Sequence, residues 1–224
     1  GRHVMKTRAL LIAAGTAVAF GSTVNADPVI WDNQFVAASL GSSQLDTIYP
    51  FDSQIADDFI LDDDYYVTDV HWWGGFWNGT PFDPIEFNIY FYADDGTGNA
   101  PTLPVPGSAL ATYNFPAVNG VFDAGFGADA YDVDLPGQGF VASANTKYWI
   151  AIQAVFPFPP QWGWSTAGPG NLSSAKQGFP LLGTPYWSDP GFGDANWYLT
   201  GVPVPAPSSL AMLGLGGLMI RRRR

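Results

Sequence analysis

Six consecutive residues gather oxygen ligands in a glycine-rich turn: Asp94-Asp95-Gly96-Thr97-Gly98-Asn99. Clustered carboxylate and amide oxygens are the donors that a hard cation such as calcium takes, so Asp94, Asp95 and Asn99 are candidate ligands. The EF-hand spacing is not met, because Ala100 stands at the loop glycine and Pro106 at the bidentate Glu. The plainer reading is a solvated hairpin turn in which Gly and Asn supply positive φ. His71 is the only histidine of the central chain, beside Trp72 and Trp73. Any Ser-His-Asp triad would have to use it, yet no Gly-x-Ser-x-Gly elbow is present. Zinc sites built from several His or Cys cannot form, since the chain has no cysteine. A glycosidase needs two carboxyls about 5 to 9 Å apart, and Glu86 is the only glutamate among 20 acidic residues. No catalytic residue emerges, and the chain is not expected to be an enzyme.

The aromatic residues offer a different chemistry. Nine tryptophans include Trp72, Trp73 and Trp77 close together, Trp162 and Trp164 two apart, and Trp187 and Trp197 later. Exposed indoles stack on the apolar faces of sugar rings while Asp and Asn bond the hydroxyls. Trp72, Trp77, Trp162, Trp164 and Trp187 are therefore candidate glycan contacts. The competing reading is that these rings fill the space between two sheets.

The elements that must position these residues are strands. Ile85, Phe87, Ile89 and Phe91 alternate with Glu86, Asn88, Tyr90 and Tyr92, a period of two. Tyr131 to Leu135 and Lys147 to Val155 read the same way. Weaker strands are expected at Ile55–Leu61, Val67–Phe76, Ala109–Phe115, Gln161–Ser165 and Asn196–Thr200. Nineteen of the acids are Asp, which favours turns and strand ends where Glu would favour helices. Short strands between Gly, Pro, Asn and Asp turns, with no amphipathic helix between them, predict an all-β fold, an antiparallel β-sandwich that is jelly-roll-like. Without disulfides its stability must come from the apolar core.

The two ends read as addresses. Lys6 and Arg8 precede an apolar run from Ala9 to Phe20, and Val24-Asn25-Ala26 offers small residues for cleavage between Ala26 and Asp27. The other end runs from Pro203, Pro205 and Pro207 through an uncharged stretch, Leu210 to Ile220, to Arg221, Arg222, Arg223 and Arg224. The apolar stretch is shorter than the about 20 residues of a full span, and the terminal arginines would stay on the cytoplasmic side. The expected organisation is an extension plus secretory signal helix over 1–26 and one β-sandwich domain over 27–200. A Pro-rich linker, short apolar transmembrane helix and Arg tail follow over 201–224. Between the two ends lie all 20 acids but only Lys147 and Lys176 as cations, a net charge of −18. Such a surface repels nucleic acid and anionic lipid.

The Pro-rich spacer, short apolar helix and terminal arginines together resemble the PEP-CTERM sorting signal of exported bacterial proteins. The sorting motif falls on Val204, Pro205, Ala206, Pro207 and the four arginines, with Ala206 where the motif's acid would stand. The body is similar to the secreted β-sandwich found ahead of many such tails. It carries that likeness in Gln54 to Phe59, Val67 to Trp73, Phe87 to Asp95 and Tyr148 to Gln153. The resemblance implies export by the Sec machinery, cleavage by signal peptidase, passage through an inner-membrane intermediate and processing by an exosortase. An anchor that is never cut is the alternative. Two functions stay open, with a glycoside hydrolase a distant third. One is a structural or adhesive protein of the cell surface or extracellular matrix. The other is a carbohydrate-binding module contacting extracellular polysaccharide, with calcium as its only candidate cofactor.

Overall fold

The computed structural model describes residues 26–103, 108–168, 170–179 and 186–205. The signal helix, the sorting motif from Ala206 onward and the C-terminal apolar helix lie outside them. All regular structure among the described residues is strand, in two sheets packed as a sandwich.

The first sheet is built around β5 (Tyr65–Trp77), the longest strand. On one side β5 pairs with β16 (Trp197–Pro203) and then with β12 (Gln161–Ala167). On the other it pairs with β10 (Phe140–Ala142) and β9 (Ala128–Asp134). β1 (Val29–Asn33) extends beyond β16, while β2 (Ser39–Ser42) and β15 (Asp194–Ala195) flank β12 and β8 (Val121–Asp123) flanks β9. The second sheet runs β14 (Trp187–Ser188), β13 (Lys176–Gly178), β4 (Gln54–Ile60), β11 (Lys147–Val155), β6 (Ile85–Ala93), β7 (Ala111–Val118). Pairing is antiparallel except for β3 (Gln44–Leu45), which runs parallel to β11.

The alternation expected for β6 is realised: Ile85, Phe87, Ile89 and Phe91 are all buried between the sheets. Facing them are Trp72 of β5 and Trp162 of β12, each edge-on to Phe87 at 5.0 Å. Trp162 fits because its ring lies over Gly74 of β5, the cross-strand partner of Trp164; a Cβ there would run into the indole. Fully buried aromatics each remove about 150–250 Å² from water, which is how the fold holds without disulfides.

Two expectations about the strands need correction. β11 is buried on both faces, not one, as is β4, because Trp149, Ala151, Ala56 and Tyr92 form a second, smaller apolar cluster on the outer side of their sheet. Trp187 and Ala109 pack against that cluster. The second correction concerns the linker. Gly201 to Pro203 were expected to begin it, but they complete β16, paired with Val67 to Tyr65, and Val204 N donates to Asp64 O. Gly201 is required there, since a Cβ would meet Tyr66 O.

Candidate functional site

The tryptophans proposed as glycan contacts divide by burial. Trp72, Trp162 and Trp164 have no exposed surface. Their alternation pattern places them on the inner face, so they cannot stack on a sugar, and that reading is withdrawn for these three. Trp77 and Trp187 are half-buried. Trp187 Nε1 is committed to Thr102 O at 3.1 Å, and its ring packs edge-on against Tyr92. Trp77 lies across Gly163, where a Cβ would strike its ring, and is the cross-strand neighbour of Gln161.

The turn at Asp94–Asn99 spends both Asp94 oxygens and Asp95 Oδ1 on protein donors. Asp94 Oδ2 accepts from Gly96 N and Gly98 N, while Asp94 Oδ1 accepts from Trp149 Nε1. Asp95 Oδ1 accepts from Thr97 N and Thr97 Oγ1. Asn99 Nδ2 turns back to Thr97 O. Gly98 O accepts from Lys147 Nζ at 2.9 Å and Ser173 Oγ at 3.1 Å. Lys147 Nζ also bonds Asp58 Oδ2, whose side chain is 0 % exposed. An ammonium thus ties this turn to the segment around Ser173.

His71 sits on the outer face of the first sheet, stacked on Tyr198 at 4.1 Å with ring planes 3° apart. Asp132 is its cross-strand partner. Burial draws the imidazole below its ordinary value, against the opposing pull of Asp132 and Asp69. No side-chain hydrogen bond joins His71 to a nucleophilic hydroxyl among the described residues. Glu86 accepts from Asn114 Nδ2 at 2.7 Å, and the same nitrogen donates to Asn88 Oδ1 at 3.0 Å. That is a cross-strand polar ladder, not an opposed carboxyl pair.

Asp57, on β4, is fully buried. It shares strand parity with Ile55 and Phe59, so it points into the core. Its Oδ2 accepts from Asn33 Nδ2 at 2.8 Å, Trp197 Nε1 at 2.8 Å and Ala195 N at 3.0 Å. Burial, with Asp194 and Asp58 nearby, pushes its carboxyl well above the usual carboxylate range. Asp194 is likewise pushed up to about 6, chiefly by burial, and its Oδ2 has no partner among the described residues. These acids join β1, β4, β15 and β16; their chemistry is structural.

A cavity opens at the end of the sandwich where β3, β4, β11 and β12 begin or stop. It measures about 510 Å³ and is lined by Asp46, Tyr49, Phe51, Phe158, Pro159 and Gln161. Two loops build it. Asp46 Oδ1 accepts from Ile48 N at 2.7 Å and Tyr49 N at 3.0 Å, which folds the first loop into a tight turn. Buried Gln44 fixes the second loop: its Nε2 donates to Phe156 O and Pro160 O, and its Oε1 accepts from Trp162 N. Sequence reading missed this site because its halves are more than a hundred residues apart. The one local signal was the aromatic and proline content of Ile48-Tyr49-Pro50-Phe51 and Phe156-Pro157-Phe158-Pro159-Pro160.

Residues 29–191 match a family described as Domain of unknown function (DUF7901). No curated protein and no solved structure matches the chain.

Proposed function

This chain belongs to the DUF7901 family, and we propose that it is an exported bacterial protein of the cell surface or extracellular matrix with a structural or adhesive role. Sorting by an exosortase completes the proposal. The observation that carries it is the partition of charge. All cations except Lys147 and Lys176 lie in the two end segments, ordered as a basic signal region and a terminal Arg cluster. The domain between them is strongly acidic, and its two lysines are committed to Asp58 and Asp189.

The way the domain uses its polar residues supports a scaffold. Asp57, Asp58 and Asp94 hold strands and turns together, and the large tryptophans fill the core. A rigid sandwich with loops displayed at its ends suits adhesion, since loops on such a frame can carry contacts without disturbing the core.

The test uses the full chain with an epitope tag, expressed in a Gram-negative host that carries an exosortase and in one that lacks it. The expected result is surface or extracellular protein in the first host and inner-membrane retention in the second. Cytoplasmic protein in both hosts would end the proposal.

A further inference from the structure

The cavity at the sandwich end carries an assignment of its own. Tyr49 is 57 % exposed and Phe158 is 39 % exposed, yet the loops that hold them are fixed by the buried partners Gln44 and Asp46. Large aromatic rings held open to water on pre-organised loops mark a recognition surface. The polar groups narrow the ligand. Asp46 Oδ2 and Gln161 Oε1 accept no hydrogen bond among the described residues, whereas Gln161 Nε2 donates to Ser42 Oγ. A ligand made only of hydrocarbon would bury the Asp46 carboxylate without a partner, which is costly. A proline-rich peptide has aromatic affinity but lacks the N–H donors that these acceptors want. An anionic ligand meets Asp46 and no cation: Lys147 and Lys176 are paired with Asp58 and Asp189, and neither lines the cavity. A ligand with an apolar face, several hydroxyl donors and no charge meets these groups: its face stacks on the rings and its hydroxyls donate to Asp46 and Gln161. The volume lies within the range of small-ligand sites, about 300–1,000 Å³.

We propose that this pocket binds neutral hexose units of a polysaccharide, with Tyr49 and Phe158 as the stacking faces and Asp46 and Gln161 as hydroxyl partners. The assignment moves glycan recognition from the buried tryptophans to the loops. It deepens the adhesive part of the reading above and rests on that part, not on sorting, so purified protein tests it whatever the fractionation result.

The experiment is affinity electrophoresis of the full chain, kept soluble in mild detergent. It is run in gels containing a soluble β-1,3-glucan, a galactomannan or, as the acidic control, alginate. At least one neutral glycan should retard the protein and alginate should not. Tyr49→Ala and Phe158→Ala should each weaken retardation about tenfold or more, while melting like the parent because both rings are exposed. Phe122→Ala, at a separate cleft where Phe122 is 68 % exposed, should bind as the parent does. The proposal is overturned if neither neutral glycan retards the protein or if alginate retards it equally. It is also overturned if both loop variants bind like the parent, or if a proline-rich peptide binds in place of the glycans.

Discussion

Replacing Lys147 with Met removes one charge from a place where the fold leans on it. Lys147 Nζ bonds Asp58, Gly98 O and Ser173 Oγ. The Asp58 side chain is 0 % exposed and that of Lys147 is 17 % exposed. Without the ammonium, Asp58 keeps only Ser173 N, at 3.3 Å from each oxygen. Breaking a fully buried pair costs about 3–5 kcal/mol. Lys147 is 17 % exposed and partly hydrated, so the cost falls below that range, to about 2–3 kcal/mol. Methionine retains the aliphatic stem beside Trp149, over which the ammonium sits at 5.3 Å, so lost packing adds little. For a domain of this size the loss corresponds to a fall in Tm of roughly 5–10 °C at pH 7.5. The deficit has a pH signature. Burial raises the Asp58 carboxyl and Lys147 lowers it, so in the variant the carboxyl rises further. A raised carboxyl stabilises the fold most when protonated, and the gap between variant and parent should narrow between pH 7.5 and pH 5. Differential scanning calorimetry at both values measures this. Adding Asp58→Leu to Lys147→Met should recover much of the loss, because no unpaired charge is then left behind. A variant that melts within about 1 °C of the parent at pH 7.5, or whose deficit grows on acidification, would show that Lys147 does not offset the buried Asp58 charge.

Three further outcomes follow from the same polar framework. Asp57→Ala leaves Trp197 Nε1 and Ala195 N without their acceptor in the core, while Asn33 Nδ2 keeps only Ala195 O. Each orphaned donor costs about 1–3 kcal/mol, offset in part by relief of the buried carboxyl; urea unfolding should show a loss of about 3 kcal/mol, and Asp57→Asn a smaller one. Asp194, raised from 3.8 to about 6, holds a proton in the fold that the unfolded chain has released between those values. Stability should therefore fall as pH rises through that window, and Asp194→Asn should flatten the profile measured by thermal melts from pH 4 to pH 7. Because both Asp94 oxygens and Gly98 O are already taken by Gly96 N, Gly98 N, Trp149 Nε1 and Lys147 Nζ, millimolar calcium should move Tm by less than about 1 °C; a larger rise would give that turn a metal.

How far the sequence discloses this molecule depends on the residue. The alternation from Ile85 to Tyr92 made β6 and its buried face readable, since one side of that strand meets the other sheet. β11 was readable as a strand from Lys147 to Val155, but its second buried face was not. The residues that cover it, Trp187 and Ala109, lie far along the chain. Strands of two to four residues, such as β3, β14 and β15, carry no period long enough to detect. The fate of the tryptophans also turned on distant partners: Trp162 is interior because Gly74 of another strand makes room for it. Asp57 was legible in principle, because Ile55-x-Asp57-x-Phe59 gives all three side chains one face. A carboxylate on the apolar side of a strand was the signal. The cavity had no comparable period, being made where two loops meet.

Display of the acidic sandwich outside the cell is a proposal that the intact mass and N-terminal sequence of tagged protein recovered from the surface fraction would decide. The expected product begins at Asp27 and lacks Arg221 to Arg224. Recovery only from the cytoplasm, with Met5 and the terminal arginines still attached, would contradict it.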